Sequence, residues 1–374
     1  MLTSGRLAAQ AVGNLSRRRA ARPALVLLAV LAAPQPVVAA EDPFLYPARG
    51  IEVGRLVLHC ATDRVAMEPL ILDFQEANPG LAITYRDFGT NELYASVTQT
   101  SAGAVPDVVV SSAMDLQAKL VNDGWTRPHV SQHTRQLPAW ANWRDEAFGF
   151  TYEPAVIVYR RGRLGADQAP RSRADLIRLL REQHGRFRGR VATYDPARSG
   201  VGYLFATQDS VLSSQFWPLT AALGDAQARL YDTSAEMLDA VERGEIDIAY
   251  NVLASYAQAH AAAGAPIEIV TPLDYVLVMS RVVAIPERAS NPGLAGTFVD
   301  YLLSGRGQRV LAVVSKMRPI ASGKPEDVAT GPASGGDGGG SDRPIALGPA
   351  LLVFLDGIKR QRFLAGWRLA FEIP

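Results

Sequence analysis

The sequence predicts two α/β lobes joined by two crossing strands. Three observations carry this. Strand-like and helix-like stretches alternate along the chain, and the alternation starts afresh after residue 160. Two long β-branched segments stand where it changes hands, and 374 residues suit two lobes better than one core.

In the first lobe, expected over 51–150, Arg55–Ala61 reads as a buried strand. Thr62-Asp63 then caps a helix with Met67, Leu70, Ile71 and Phe74 on one face. Pro69 lies inside that pattern and either kinks the helix or delays its start. Asn78-Pro79-Gly80 ends it, and Leu81–Arg86 returns as a strand. Thr90–Thr98 is helical, and Val105–Val110 is the next strand. Ser112-Ala-Met-Asp115 has the spacing of a capping box, opening a helix that stops at Gly124.

The second lobe, expected over 151–273, repeats this grammar. Ser172-Arg-Ala-Asp175 opens a helix, a capping box at Thr233-Ser-Ala-Glu236 opens a second, and Ser199-Gly200 opens another after the strand Arg190–Tyr194. Glu245–Tyr250 reads as a strand and Asn251–His260 as a helix. The sheets are expected to be mainly parallel. The connections are Ala147–Arg160 and Asp274–Ile285, with the return to lobe one placed at 274–328. A Gly-rich loop is expected at 329–341. The segment 342–374 is amphipathic, with Leu351, Phe354, Leu355, Ile358, Phe363, Leu364 and Trp367; it reads as a helix docking back on lobe one or, alternatively, as a partner-binding helix.

Residues 1–40 read as an export signal. Arg6 and Arg17-Arg18-Arg19 with Arg22 precede the apolar run Ala24–Ala33, too short to span a bilayer, and small residues end at Ala39-Ala40. A net charge of +1 recruits no nucleic acid. Cys60 is the only cysteine, so no internal disulfide and no cysteine-based zinc site is available, and its apolar setting makes it a packed thiol. His59 beside it reads as structural. No Gly-x-Ser-x-Gly, His-Glu-x-x-His or Walker pattern occurs, and the five histidines build no triad. No enzyme activity and no cofactor are expected.

Several segments, in order, resemble one family. Leu56–Asp63, Pro69–Gly80, Val105–Ser112, Asp195–Tyr203, Gly244–Asn251 and Asn291–Ser304 together are similar to periplasmic solute-binding proteins of ABC transporters, type II group, which includes ferric-ion, hexose-phosphate, phosphonate and phosphoglycerate binders. The resemblance spans roughly 51–320. It implies the two-lobed type II periplasmic binding protein fold with two crossing hinge strands, a ligand held between the lobes, and an ABC permease as partner. A membrane sensor kinase is the rival partner, and a monomer is expected.

The chemistry of such a cleft is that of helix N-termini, whose free N–H groups favour negative oxygens. Four strand-to-helix turns offer small polar residues: Thr62-Asp63, Ser111-Ser112, Ser199-Gly200 and Asn251. Two come from each lobe, and in parallel sheets they gather on one edge. In the turn running from Asp195 to Tyr203, Arg198 could pair with phosphate or carboxylate, or stay solvated. Tyr275 packs on the ligand or fills the hinge. Thr62 and Ser112 are explained equally well as plain caps. The ferric binders of the family carry two adjacent tyrosines after the asparagine aligned with Asn251. Here the sequence is Asn251-Val-Leu-Ala-Ser-Tyr256, so an organic anion is expected over ferric iron.

Overall fold

Apolar residues on alternate positions of short strands, and at three- and four-residue spacings on the helices between them, leave each lobe one way to bury both: helices packed on a sheet. The computed structural model describes residues 43–99, 105–165, 167–320 and 340–372. The expected export signal and most of the expected Gly-rich loop lie outside the described residues.

The first lobe runs β1 (Phe44–Tyr46), β2 (Gly54–Ala61), α1 (Arg64–Ala77), β3 (Leu81–Asp87), α2 (Thr90–Thr98), β4 (Val108–Ser111), α3 (Met114–Asn122), β5 (Asn142–Trp143) and β6 (Ala147–Gly149). The chain then crosses to β7 (Glu153–Arg160), α4 (Arg173–Glu182), α5 (His184–Phe187), β8 (Val191–Tyr194), α6 (Gly200–Leu212) and α7 (Phe216–Asp225). The second lobe continues with β9 (Arg229–Tyr231), α8 (Ser234–Glu242), β10 (Ile248–Leu253), α9 (Ala254–Ala262), β11 (Ile267–Val270) and β12 (Tyr275–Met279). The return brings β13 (Val282–Ala284), α10 (Pro292–Leu303) and α11 (Gly305–Val313). Last come β14 (Ser341–Pro344), a 3-10 turn at Pro349–Leu355, and α12 (Gly357–Glu372).

One sheet has the order β1-β3-β2-β4-β13-β6-β5 and the other β14-β12-β7-β10-β8-β9, with β11 also beside β7. The sheets are mixed rather than mainly parallel. The β3-β2-β4 and β10-β8-β9 ladders are parallel, while β7 and β13 meet their neighbours antiparallel. The reason is the hinge, since a chain that crosses out and back runs in opposite directions. The outward crossing lies between Gly149 and Glu153 and the return at Ser280-Arg281, so β12 stays in the second sheet.

The two crossings are stitched together. Phe150 N–H donates to the Arg281 carbonyl at 3.0 Å, and Arg281 N–H donates to Thr151 Oγ1 at 2.8 Å. Gly149 lies against Ser280 so closely that a Cβ there would stand 2.6 Å from its Oγ.

Three of the expected caps form, whereas Asp63 at the N-cap of α1 makes no side-chain cap hydrogen bond. Ser172 and Thr233 accept from Asp175 N–H and Glu236 N–H, and Ser199 accepts from Gly202 N–H. Pro69 sits inside α1, which begins at Arg64 directly after Asp63. The box expected at Ser112 does not form. Helix α3 starts one residue later, after Ala113, and Asp115 accepts instead from the N–H of Leu116. Asn251 does not open a helix either. It belongs to β10, and α9 begins at Ala254.

The C-terminal helix does not dock on the first lobe. Its Phe363, Leu364 and Trp367 are buried with Tyr203 of α6 and Phe216 of α7, in the second lobe. Amphipathicity states that a helix has a face to bury; it does not state against what.

Candidate functional site

The strongest concentration of buried polar groups between the sheets is centred on Arg281. Its register in the return crossing points the side chain toward the start of β7 and the end of β2, and only 1% of the residue is exposed. Nη1 donates to Thr62 Oγ1 at 2.7 Å, and Nε donates to Glu153 Oε1 at 3.2 Å. Nη2 is buried and makes no well-formed hydrogen bond, although the Tyr256 hydroxyl lies within reach of the guanidinium. The guanidinium carbon lies 5.4 Å from the centre of the Tyr256 ring.

Both lobes reach this group. Glu153, wholly buried, also accepts from the hydroxyl of Ser255 at the start of α9. The Tyr256 hydroxyl donates to Asp63 at the N-cap of α1, and burial raises the Tyr256 phenol well above its ordinary value. Thr62 and Asp63 thus stand opposite Ser255 and Tyr256, with the Arg281–Glu153 ion pair at the floor. Tyr194, at the end of β8, lies near the same group and shares a 2.6 Å hydrogen bond with Ser234 at the start of α8.

A second contact between lobes lies beside it. Gly200 N–H donates to Thr90 Oγ1 at 2.9 Å, and the Asn91 side chain donates to the Arg198 carbonyl at 2.7 Å. A Cβ on Gly200 would come within 2.6 Å of Thr90 Oγ1 and 3.0 Å of the Ala113 Cβ, so only glycine lets the start of α6 approach this wall. The Ser111–Ala113 turn therefore abuts the Ser199-Gly200 turn. Ser111 and Ser112 are both buried, and Ser111 Oγ accepts from Ala113 N–H at 3.1 Å.

The remaining expected residues lie elsewhere. Arg198 pairs with Asp232 at 2.7 Å on the surface of the second lobe. Asn251 takes a left-handed conformation, φ 62°, where the β10–β7 register shifts between Ala249 and Val252. The shift turns its side chain into the second lobe, where it donates to Asp209 Oδ2 at 3.1 Å. Tyr275 donates to Asp209 Oδ1 at 2.6 Å. Of the four turns, those at Thr62, Ser111-Ser112 and Ser199-Gly200 face the other lobe; the one at Asn251 does not.

Arg281, Glu153, Ser255, Tyr256, Thr90 and Asn91 escaped the sequence reading. A signal was present for two of them: Arg281 and Glu153 are lone charges inside the apolar runs of the two crossing segments. Charges so placed are almost never buried unless paired, and strands that cross side by side can pair them.

The family profile of bacterial extracellular solute-binding proteins matches residues 56–313. The chain belongs to that family. A substrate-binding protein of an ABC transporter from Agrobacterium tumefaciens is 35% identical, with a TM-score of 0.80 over 88% of this chain and 98% of that one. Iron-bound HitA from Pseudomonas aeruginosa shares the fold at 19% identity and TM-score 0.66, covering 84% of this chain and 99% of that one. The fructose-6-phosphate-bound periplasmic binding protein AfuA from Actinobacillus pleuropneumoniae does so at 17% and 0.69, covering 86% and 100%. An uncharacterised protein of Haemophilus influenzae is 25% identical over 280 residues, 69% of this chain and 75% of that protein. The solute-binding proteins of this family work as periplasmic partners of ABC transporters. Among the described residues, no helix is long and apolar enough to cross a membrane.

Proposed function

We propose that this protein takes a small organic anion, a phosphorylated compound or a carboxylate, between its lobes, closes on it without chemistry, and presents the closed form to an ABC permease. One observation carries the reading. Arg281 Nη2 is a buried, permanently charged donor without a well-formed hydrogen bond, at the place where both lobes meet. An unpaired buried donor is costly, and an anionic oxygen supplies the missing acceptor with a charge-assisted bond. Contacts from Thr62 and Asp63 on one side and Ser255 and Tyr256 on the other give the ligand a reason to hold the lobes together.

The ferric alternative would draw on Asp63, Glu153 and Tyr256, all hard oxygen ligands. The fixed charge of Arg281, 5.4 Å from the Tyr256 ring centre, opposes a trivalent cation there.

Thermal-shift and calorimetric screening of organic phosphates, phosphonates, carboxylates and ferric citrate tests this. An organic anion is expected to raise the melting temperature, and the double variant Arg281→Met/Glu153→Gln is expected to abolish that shift. A shift with ferric citrate alone would overturn the choice of ligand. Uptake lost on deleting the chain supports transport; unchanged uptake with a lost transcriptional response supports a sensor kinase as partner. Residues 1–40 are proposed as the export signal, so the intact mass of the periplasmic protein should correspond to a chain starting at Glu41.

A further inference from the structure

The segment after residue 340 touches both lobes, unequally. Its hold on the second lobe is extensive. β14 runs parallel to β12 from Ser341 to Pro344, extended by Gly340 N–H to the Pro272 carbonyl at 3.0 Å and Ile345 N–H to the Val278 carbonyl at 2.8 Å. At the other end α12 lies on α7. Phe363 packs against the rings of Tyr203, Phe216 and Trp217, and the backbone of Phe371 rests directly on Gly224, where no Cβ would fit.

Between these anchors the chain leans on the first lobe. Leu347 N–H donates to the Trp140 carbonyl at 2.8 Å. Leu351, in the 3-10 turn, is buried in the same apolar cluster as Met114, Ala118 and Val121 of α3. The carbonyl of Phe354 in that turn accepts from the Tyr203 hydroxyl of α6 at 2.5 Å. The turn therefore holds α3 and α6 together, and these are the two helices whose starts, Ala113 and Gly200, meet across the gap.

We propose that residues 340–372 form a closure latch. The segment stays fixed to the second lobe through β14 and α12, and its stretch 347–355 engages α3 and Trp140 only when the lobes meet. Opening would pull α3 away from α6, and a turn bonded to α6 must then give up its seat on α3. The latch adds to the closed state a contact that owes nothing to the ligand, so it biases the hinge and slows release. The proposal rests on the lobes opening and closing around the gap, not on which ligand fills it.

Interlobe distances measured by double electron–electron resonance test it without any ligand. Spin labels at Val65→Cys and Arg243→Cys report on one lobe each, and native Cys60 is buried. Leu351→Asp is expected to raise the open fraction about tenfold or more, with Leu351→Ala shifting it the same way if the aspartate variant fails to fold. Tyr256→Phe, which cuts the Asp63 contact in the gap, is the reference. If Tyr256→Phe widens the distribution and neither Leu351 variant does, the latch is overturned while the opening gap stands. If none of the three widens it, the hinged reading falls and the latch with it.

Discussion

Two buried arginines, Arg173 and Arg281, show how the same chemistry serves different ends. Arg173 is enclosed by one lobe. Its Nη2 donates to Asp209 at 2.9 Å, its Nη1 reaches Asp274 and the Tyr275 carbonyl at 3.1 Å each, and its guanidinium lies 3.6 Å from the Tyr275 ring centre. Asp209 in turn accepts from Arg173, Tyr250, Asn251 and Tyr275, so its lone-pair positions are filled. A small cavity of about 30 Å³ lies beside Asp209, Tyr250 and Asn251. Arg281 instead takes partners from a crossing strand and the first lobe, and keeps a terminal nitrogen without a well-formed hydrogen bond. The Arg173 cluster, whose Nε also lacks a partner, is closed off within one lobe and acts as a staple there. The open one stands where lobes part and meet, and an unsatisfied donor there is a feature that a ligand can complete.

Breaking the staple should cost most. Arg173→Met leaves Asp209 and Asp274 without their cation, so unfolding free energy in denaturant titration is expected to fall by about 3–5 kcal/mol. Loss below about 1 kcal/mol would erase the contrast with Arg281.

Asp115 supplies an intermediate case. It is buried at the start of α3, where it accepts from the Leu116 amide, and burial pushes its carboxyl up to about 7. A raised carboxyl pKa means the folded state binds the proton more tightly than the unfolded chain. Stability therefore declines as pH rises from about 4 to about 7 and is level above that. Asp115→Asn should flatten this slope and stabilise the protein by about 4 kcal/mol at pH 8, with little gain at pH 4. Melting curves at the two pH values check it, and equal shifts at both would show that Asp115 does not titrate in this window.

The smallest effect on stability should come from the site itself. Arg281→Met/Glu153→Gln removes both partners of the pair, and replacing both is expected to change unfolding free energy by less than about 1 kcal/mol while binding disappears. A large loss of stability in that double variant would make Arg281 a second staple rather than a ligand contact.

The starts of α4, α6 and α8 were legible in the sequence because a cap is a local bond: Ser172, Ser199 and Thr233 each need only the amide three residues on. The buried face of α1 was legible from spacing for the same reason. Ser112 carried the same signal as Ser172, yet the box is absent. Ser111 caps the Ala113 amide, and α3 enters later against the second lobe. Asn251 was misplaced because its direction depends on a register shift against β7, a strand about a hundred residues earlier. No local pattern encodes that. The C-terminal helix was recognisable as amphipathic, but its partner, α7, was not.

By itself, then, the amino-acid order determined the alternation of elements, their caps and the two apolar crossings, since these follow from neighbours within a few residues. It also marked Arg281 and Glu153 as charges out of place in those crossings. Only the tertiary structure decided that they pair, that Thr62 and Asp63 meet Ser255 and Tyr256 there, and that Asn251 turns away. Those outcomes depend on the register between strands brought together from opposite ends of the chain, and register is set by packing both lobes at once.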